Sequence, residues 1–348
     1  MTHRPGRIPA WWLLAGVGAV LVAGVAGLAL GPVRLPPLGV AAETLNLLPW
    51  VELESGLTPR EAAIVTQIRL PRVVLGLLVG AMLALAGGVY QGAFRNPLAE
   101  PYLLGVAAGA GLGVTVTVAL RGGTGIADLP LTVPLAAFTG AVGAVVLTYL
   151  LGVTGGRDRS QATLILAGVA VSAFLAALQT YLLQRHIEVI RDIYSWLLGR
   201  LGGATWHDVR LLLPYAVVTA VVVLLLRREL DVLSVGDDEA ASLGLHPERS
   251  RYLLLATASL GTAAAVSVSG LIGFVGIIVP HLIRLLVGTS YRAILPLATL
   301  FGGAFLAVAD LAARTVDAPR EVPIGVVTAL LGAPFFVVVL RSSRRVTV

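Results

Sequence analysis

Long apolar runs separated by short polar segments dominate the chain. Nine of them reach the length of about 20 mainly apolar residues that a membrane-spanning helix needs. They cover residues 11–31, 71–92, 102–120, 131–152, 162–184, 209–226, 251–270, 293–313 and 322–340. A tenth run, 272–287, is shorter and contains Pro280, so we expect a broken or tilted helix there. The pattern predicts an all-α bundle of about ten transmembrane helices, with residues 1–348 forming a single membrane domain.

The composition agrees with a membrane protein. Hydrophobic residues make up 57% of the chain and charged residues 13%, whereas soluble domains contain about 45–50% and about 25%, respectively. The first apolar stretch follows a basic lead, but it is longer than the core of a signal peptide. We therefore interpret it as the first spanning helix.

The basic and sulfur-containing residues exclude several kinds of chemistry. All 25 basic residues are arginine, and the chain has no cysteine. A P-loop ATPase needs a lysine for the phosphates, and a Schiff-base enzyme needs one as its nucleophile. Neither a catalytic residue nor a metal site is expected, because no paired carboxylates, HExxH motif or cluster of metal ligands is present. Ser267 or Ser269 with His281 is the one candidate nucleophile pair, and we attribute it to chance.

The arginines indicate an orientation rather than a nucleic-acid surface. The net charge is +6, but the positive residues are scattered between apolar runs, so we do not expect nucleic-acid binding. With the N-terminus in the cytoplasm, fourteen arginines fall inside and eleven outside. The short inner segments carry Arg4, Arg7, Arg157, Arg159, Arg227, Arg228, Arg341, Arg344 and Arg345. Ten spans then place both termini in the cytoplasm.

The outer arginines leave two interpretations open. The outer excess lies mainly at Arg60, Arg69, Arg72, Arg314 and Arg320. These residues could form a basic surface for an acidic partner, or they could anchor helix ends among lipid headgroups. Asp310 lies four residues before Arg314, so the two side chains can pair on one helix face. The first eight runs contain no series of carboxylates, which gives proton-coupled transport little support.

Two prolines mark a turn after the second apolar run. Asn96-Pro97 and Glu100-Pro101 disfavour helix at the residue before each proline, so a tight turn should join two antiparallel spans. We interpret Gln91 and Asn96 as hydrogen-bonding the exposed backbone of this turn. Gly105 then permits a close approach or a break in the next helix.

The polar segment 227–250 predicts a short helix at about 235–246. Asp237 or Gly236 can cap its start, and Gly244 can end it in a left-handed conformation. Asp238 and Glu239 suit its positive N-terminal end. Its small and apolar residues are Ala240, Ala241 and Leu243. The helix could fill a groove of a partner protein, or it could lie on the membrane surface.

Several segments together resemble one known family. They are QIRLPR (67–72), QGAFRNPLAEPYLLGVAAGAG (91–111), SVGDDEAASLGL (234–245), GFVGIIVPHLIRLL (273–286) and EVPIGVVTALLGAPFF (321–336). They keep the order found in the FecCD family, the membrane permeases of bacterial ABC importers for iron–siderophore, haem and cobalamin. The resemblance runs from about residue 60 to the C-terminus and implies a type II ABC importer permease fold.

The resemblance also implies partners and roles. The expected assembly is a homodimer, or a pair of related subunits, in the bacterial inner membrane, with two cytoplasmic ATPase chains that bind ATP and Mg²⁺. This chain itself would bind no cofactor. A periplasmic or lipid-anchored binding protein would dock outside and deliver a metal chelate, with iron–siderophore first, then haem and cobalamin. The alternative is an ion-driven secondary transporter or channel without an ATPase.

The family motifs further suggest roles for individual residues. Residues 237–245 would couple to the ATPase, and alternating access would move the cargo. Arg69, Arg72 and Arg314 match positions that engage the binding protein, while Arg320 is included for its proximity. Gln91, Asn96, Pro97, Gly105, Pro280 and His281 belong to the family motifs. Residues 163–183 and parts of the last span are expected to line the pathway.

Overall fold

The computed structural model describes residues 9–31, 33, 35–121, 129–154 and 161–343. Fifteen α-helices and no strand occur in these ranges. Helices α1 to α8 are Ala10–Ala29, Pro37–Leu45, Pro59–Ala63, Leu70–Ala93, Val106–Leu120, Thr132–Thr154, Gln161–Arg185 and Ile190–Leu197. Helices α9 to α15 are Trp206–Leu225, Arg227–Leu233, Asp237–Ser242, Pro247–Ser269, Val275–Val287, Tyr291–Thr315 and Ile324–Ser343.

Each of the ten apolar runs corresponds to a helix, which confirms the predicted all-α bundle. Seven helical segments are long and apolar enough to cross a membrane, namely α1, α3 continued into α4, α6, α7, α9, α12 and α14. Helices α5 and α13 and the first sixteen residues of α15 are shorter apolar helices. The chain is a multi-pass membrane protein.

Helix α4 lies at the centre of the bundle and packs against α12, α13 and α14. Glycines allow this close packing. A Cβ atom at Gly80 would lie 2.3 Å from the carbonyl oxygen of Gly302, and one at Gly87 would lie 2.0 Å from that of Gly276. Small residues let helix backbones approach one another where no water is present to drive association.

The second span begins earlier than its apolar pattern predicts. A π-helical segment, Ile64–Arg69, joins α3 to α4, so one continuous helix runs from Pro59 to Ala93. At the end of this segment the Leu70 N–H donates to the Val65 carbonyl, five residues back. Such a wide turn is a local insertion in an α-helix, and here it leads directly into Pro71, which has no N–H to donate. Arg69 and Arg72 therefore lie on a helix and not on an outer loop.

Two interruptions shorten the third and eighth spans. A 3₁₀ turn occupies Pro101–Leu104, and Gly105, with φ of 87°, precedes α5. Between α12 and α13 the chain is not helical from Gly270 to Phe274, and Phe274 has φ of 68°. Helix α13 continues through Pro280 and is 13 residues long in total, or about 20 Å, less than the bilayer core of about 30 Å.

Polar contacts gather at two ends of the bundle, which we name after one residue at each. The Asp237 end contains the C-terminus of α4, the N-termini of α7 and α12, and the short helices α10 and α11. The Arg72 end contains the C-termini of α1 and α14 and the start of α4. Six of the arginines that indicate the orientation lie outside the described residues, namely those at 4, 7, 157, 159, 344 and 345.

Candidate functional site

Helix α11 is short, and its two ends are closed by glycine. Gly236 precedes it with φ of 154°, and a Cβ atom there would lie 1.9 Å from Oε2 of Glu239. At the other end Gly244 adopts φ of 84°. The Leu245 N–H donates to the Ala240 carbonyl at 3.0 Å, and the Gly244 N–H donates to the Ala241 carbonyl at 2.9 Å. This pair of bonds is a Schellman motif, which satisfies carbonyls that the helix would leave unpaired.

The outward face of α11 is smaller than the sequence suggests. Leu243 is 70% exposed, and Ala241 and Val235 are also exposed. Ala240 is fully buried, so its expected place on the displayed edge is wrong. It faces the bundle because the six-residue helix turns that side toward α10 and α12. The face that remains is a small apolar ridge beside the exposed carboxylates of Asp238 and Glu239.

Asp237 points toward the bundle, where two arginines bind it. Oδ1 of Asp237 accepts from Nη2 of Arg251 at 2.6 Å and from Nη2 of Arg95 at 3.0 Å. Arg251 is buried, and its Nε also donates to the carbonyl of Ala93, in the last turn of α4, at 3.0 Å. Hydrogen bonds to charged groups are stronger than neutral ones. These bonds tie α11 to α4 and α12. Neither arginine was singled out by the sequence pattern.

Arg95 ends α4 in an unusual way. The Asn96 N–H donates to the Gln91 carbonyl, and the Arg95 N–H donates to the Gly92 carbonyl, so α4 also ends in a Schellman motif. The left-handed residue of this motif is Arg95 itself, with φ of 48°. At the equivalent position after α11 the chain uses Gly244. A residue with a Cβ atom pays about 1–2 kcal/mol for this conformation, which indicates that the side chain has a role.

Gln161, the first residue of α7, joins the same cluster. We assign its amide oxygen and nitrogen from the donors and acceptors around them. In this assignment the oxygen accepts from Nη2 of Arg95 at 2.7 Å and from Nη2 of Arg251 at 3.1 Å. The amide nitrogen donates to the carbonyl of Phe94 at 3.1 Å. The cluster therefore brings four helices together, α4, α7, α11 and α12.

At the Arg72 end, one buried arginine binds two carboxylates. Nε of Arg72 lies 3.0 Å from Oδ2 of Asp310, and Nη2 lies 2.9 Å from Oδ1. The same guanidinium donates to Glu321 through Nη1 at 2.7 Å. These bonds join the start of α4 to the end of α14 and to the segment before α15. The pairing of Arg72 with Asp310 spans 238 residues of sequence, so no local spacing indicates it.

Two further arginines cap the C-terminus of α1. Nη1 of Arg69 donates to the carbonyls of Leu28 and Ala29, at 2.6 and 3.1 Å. Arg314 donates to the carbonyl of Gly27. The last carbonyls of a helix have no partner within it and carry partial negative charge. The two guanidinium groups provide that partner and hold α1 against α4 and α14.

The exposed basic surface expected at this end is largely wrong. Arg69, Arg72 and Arg314 are only 4%, 7% and 3% exposed, because each guanidinium is used for contacts inside the bundle. Arg320 is exposed. The expected pair of Arg314 with Asp310 is present at 3.7 Å, but Asp310 makes its shorter bonds to Arg72.

Gln91 bonds to backbone, but to that of α13 and not to the turn after α4. Pro280 has no N–H for the carbonyl of Gly276, four residues back. Nε2 of Gln91 donates to this carbonyl at 3.1 Å, and its Oε1 accepts from Arg284 at 3.2 Å. Arg284 also donates to the hydroxyl of Tyr291 at 3.0 Å. Gln91 thus replaces the helical bond that proline removes and links α4 to α13.

The turn after α4 is stabilised by Asn96. Its Oδ1 accepts from the Leu98 N–H at 2.9 Å, and Pro97 lies within the turn. His281 stands edge-on to the Phe335 ring at 5.8 Å. Ser267 and Ser269 donate to carbonyls of their own helix, so neither is paired with His281. Within the described ranges, no group of three or more histidine or acidic residues could hold a metal ion.

The apolar helical bundle places the chain among the multi-pass membrane proteins. Comparison with known proteins identifies which one: residues 19–342 match the FecCD transport family, and the chain belongs to that family. It is 45% identical over 303 residues to the cobalamin import system permease protein BtuC of Halobacterium salinarum, covering 85% of this chain and 80% of that protein. It is 38% identical over 287 residues to the hemin transport system permease protein HmuU of Yersinia pestis, covering 80% and 83%.

A solved structure shows the same architecture. The chain matches a metal-chelate type ABC transporter in an inward-facing conformation with a TM-score of 0.83 and 28% identity. The match covers 96% of this chain and all of that one. The expectation of a FecCD-type permease fold is confirmed.

Proposed function

We propose that this chain is the transmembrane permease subunit of an ABC importer for a metal chelate, in the bacterial inner membrane. The observation that carries the proposal is α11, a closed short helix that displays Leu243 and Ala241 and is tied to the bundle through Asp237. An apolar ridge on an anchored helix fits a groove of a partner. The Asp237 end, and with it both termini, would face the cytoplasm.

The partner at α11 is an ABC ATPase on a separate chain. Arginine supplies every basic residue here, so the permease cannot itself form the lysine-containing loop that binds ATP phosphates. ATP and Mg²⁺ belong to the ATPase, and two copies would serve a permease dimer. Closure of the ATPase pair would draw the two α11 helices together and change which side of the pathway is open.

The second permease copy would cover the exposed face of α7. Along this helix the large apolar side chains of Leu166, Val169 and Phe174 are exposed. An apolar groove of about 400 Å³ lies between α8, the segment before α13 and α15. Two such faces around a common axis would enclose a pathway lined by α7 and parts of α15. A homodimer is the simplest assembly, since identical surfaces then meet.

The binding protein would dock at the Arg72 end. Arg320 is exposed at this end, unlike the three buried arginines there, and it would attract an acidic surface. Arg69, Arg72 and Arg314 would contribute by holding the platform, since their guanidinium groups are engaged within it.

The cargo class follows from the relatives. Their names specify cobalamin, hemin and Fe(3+) dicitrate, which share a bulky chelated metal. We retain iron–siderophore as the first candidate, followed by haem and cobalamin. Binding measurements of the three chelates with the binding protein encoded beside the permease would separate them.

The decisive experiment is ATPase capture by the purified chain in nanodiscs. We expect the ABC ATPase encoded beside it to bind, and Leu243→Asp to weaken binding at least about tenfold, since a carboxylate would enter an apolar groove. Ala241→Pro should act similarly by disrupting the helix. Arg228→Ala, which changes an exposed residue on neighbouring α10, is the control. Full ATPase binding by Leu243→Asp would contradict the role of α11.

A secondary transporter or channel remains the alternative. Liposomes containing the permease alone, with an imposed ion gradient, should take up no chelate. Uptake under those conditions would replace the ABC importer proposal with that alternative.

A further inference from the structure

A cluster of four polar residues connects α11 to the membrane helix α7. Asp237 belongs to α11, Arg95 follows α4, Arg251 is the fifth residue of α12 and Gln161 begins α7. Besides Nη2, Nε of Arg95 also donates to the amide oxygen of Gln161, at 3.1 Å. We define these four residues as the joint.

The joint consists of bonds that are short and directional. Both guanidinium groups share one oxygen of Asp237, and both also face the amide oxygen of Gln161. The carbonyls of Ala93 and Phe94 complete it by accepting from Arg251 and Gln161. Two positive groups therefore meet one carboxylate and the negative C-terminal end of α4. Displacing α11 requires these groups to move together or to lose their partners.

The backbone at Arg95 shows that this side chain is specifically required. Glycine closes the same motif after α11, whereas α4 keeps an arginine in the left-handed conformation. Glycine would satisfy the backbone there without strain. A strained residue persists where its surroundings demand it, often at a moving part. At this position the Arg95 side chain is kept by its bonds to Asp237 and Gln161, since both accept from its guanidinium.

We propose that the joint transmits displacement of α11 to α7, the helix proposed to line the pathway. Arg95 and Arg251 act as positioning residues, because they contact neither ATP nor cargo. The proposal rests on the importer function above for its biological consequence. The mechanical link itself is a property of this chain and can be tested without any partner.

The absence of cysteine makes a direct test possible. Ser242→Cys on α11 and Ala162→Cys on α7, both exposed positions, would carry nitroxide labels in the full-length chain in nanodiscs. We expect a narrow distribution of distances between the labels. Asp237→Asn and Arg95→Gly should each broaden it at least about twofold. Asp238→Asn removes the same charge from the same helix at an exposed position and should leave the distribution unchanged.

Thermal unfolding separates a joint from a merely structural contact. Arg95→Gly relieves the left-handed strain, so its Tm should stay equal to or above that of the unmodified chain while the distance distribution broadens. An unchanged distribution in both Asp237→Asn and Arg95→Gly would overturn the proposal. So would broadening that appears only with a lowered Tm in both variants.

A second measurement uses the assembled importer. Arg95→Gly, which leaves every residue of α11 in place, should keep ATPase binding within about twofold but lower the chelate taken up per ATP hydrolysed at least about fivefold. An unmodified chain that binds no ATPase contradicts the proposed function, while the label distances still decide the joint. Normal uptake per ATP in Arg95→Gly and Asp237→Asn, with ATPase bound, would contradict the joint alone.

Discussion

Arg72 on α4 and Asp310 on α14 form a buried, two-pronged ion pair, with Nε and Nη2 of the arginine 3.0 and 2.9 Å from the two carboxylate oxygens. Both residues are less than 9% exposed. Removing one member of a buried pair costs about 3–5 kcal/mol when the remaining charge has no partner. Here Arg72 would keep Glu321 at 2.7 Å and Asp310 would keep Arg314 at 3.7 Å, so the cost should be lower than that. The pair therefore holds the platform proposed for the binding protein.

We expect Asp310→Ala to destabilise the protein and to lower its Tm in detergent, followed by tryptophan fluorescence. Arg72→Ala should do the same. The double variant should lose less stability than the sum of the two, because neither charge is then left behind. Arg320→Ala, an exposed arginine at the same end, should change Tm little. Equal, small effects of all four variants would show that the pair does not stabilise the bundle.

The packing of α5 against α6 provides a matched glycine test. A Cβ atom at Gly140 would lie 2.2 Å from the carbonyl oxygen of Gly109, whereas one at Gly143 on the same helix would meet no atom within 4 Å. We expect Gly140→Ala to force the helices apart and lower Tm. Gly143→Ala should keep or raise Tm, because alanine favours helix over glycine. Thermal unfolding of the two variants side by side would reveal the difference, and equal Tm values would contradict the close contact.

The fold was accessible from sequence because each span satisfies a local rule. A run of about 20 apolar residues indicates a membrane-spanning helix without any knowledge of its tertiary contacts. Inside the bilayer, the backbone hydrogen bonds of such a segment must be made within the helix. The start at Pro59 was missed because the segment before Pro71 is polar and contains Arg60 and Arg69. The partner of Arg69 is the backbone of α1, 41 residues away, which no local rule indicates.

The site was less accessible because it depends on contacts between distant segments. Local rules indicated the caps of α11, where Gly236 and Gly244 have positive φ. They did not indicate that Ala240 is buried or that Asp237 binds Arg95, 142 residues away. An arginine in the left-handed position after α4 has no signature in a single sequence, because the strain is visible only once the backbone is known.

Arg320 allows the proposed docking surface to be tested by charge. We expect Arg320→Glu to weaken association with the binding protein at low ionic strength and to make the remaining association less sensitive to salt, since surface attraction is screened. Titration of the labelled binding protein onto nanodiscs at several salt concentrations measures both effects. Arg228→Glu, at the opposite end of the bundle, is the control. Unaltered affinity at low salt would remove Arg320 from the docking surface.

The role of Gln91 beside Pro280 can be tested with a double variant, because Pro280→Ala should reduce the destabilisation caused by Gln91→Leu. Gln91→Leu leaves the Gly276 carbonyl buried without a donor, which costs about 1–3 kcal/mol. Pro280→Ala restores an N–H four residues along α13 from that carbonyl, so the helix can satisfy it directly.

We therefore expect Gln91→Leu to lower Tm in the unmodified chain and to lower it less in the Pro280→Ala background. The exposed Gln184 on α7 serves as the control, since Gln184→Leu should have the same small effect in both backgrounds. Arg284 loses its bond to Gln91 in either case but keeps the one to Tyr291, so some destabilisation should remain. An equal loss from Gln91→Leu in both backgrounds would mean that Gln91 does not replace the missing proline bond.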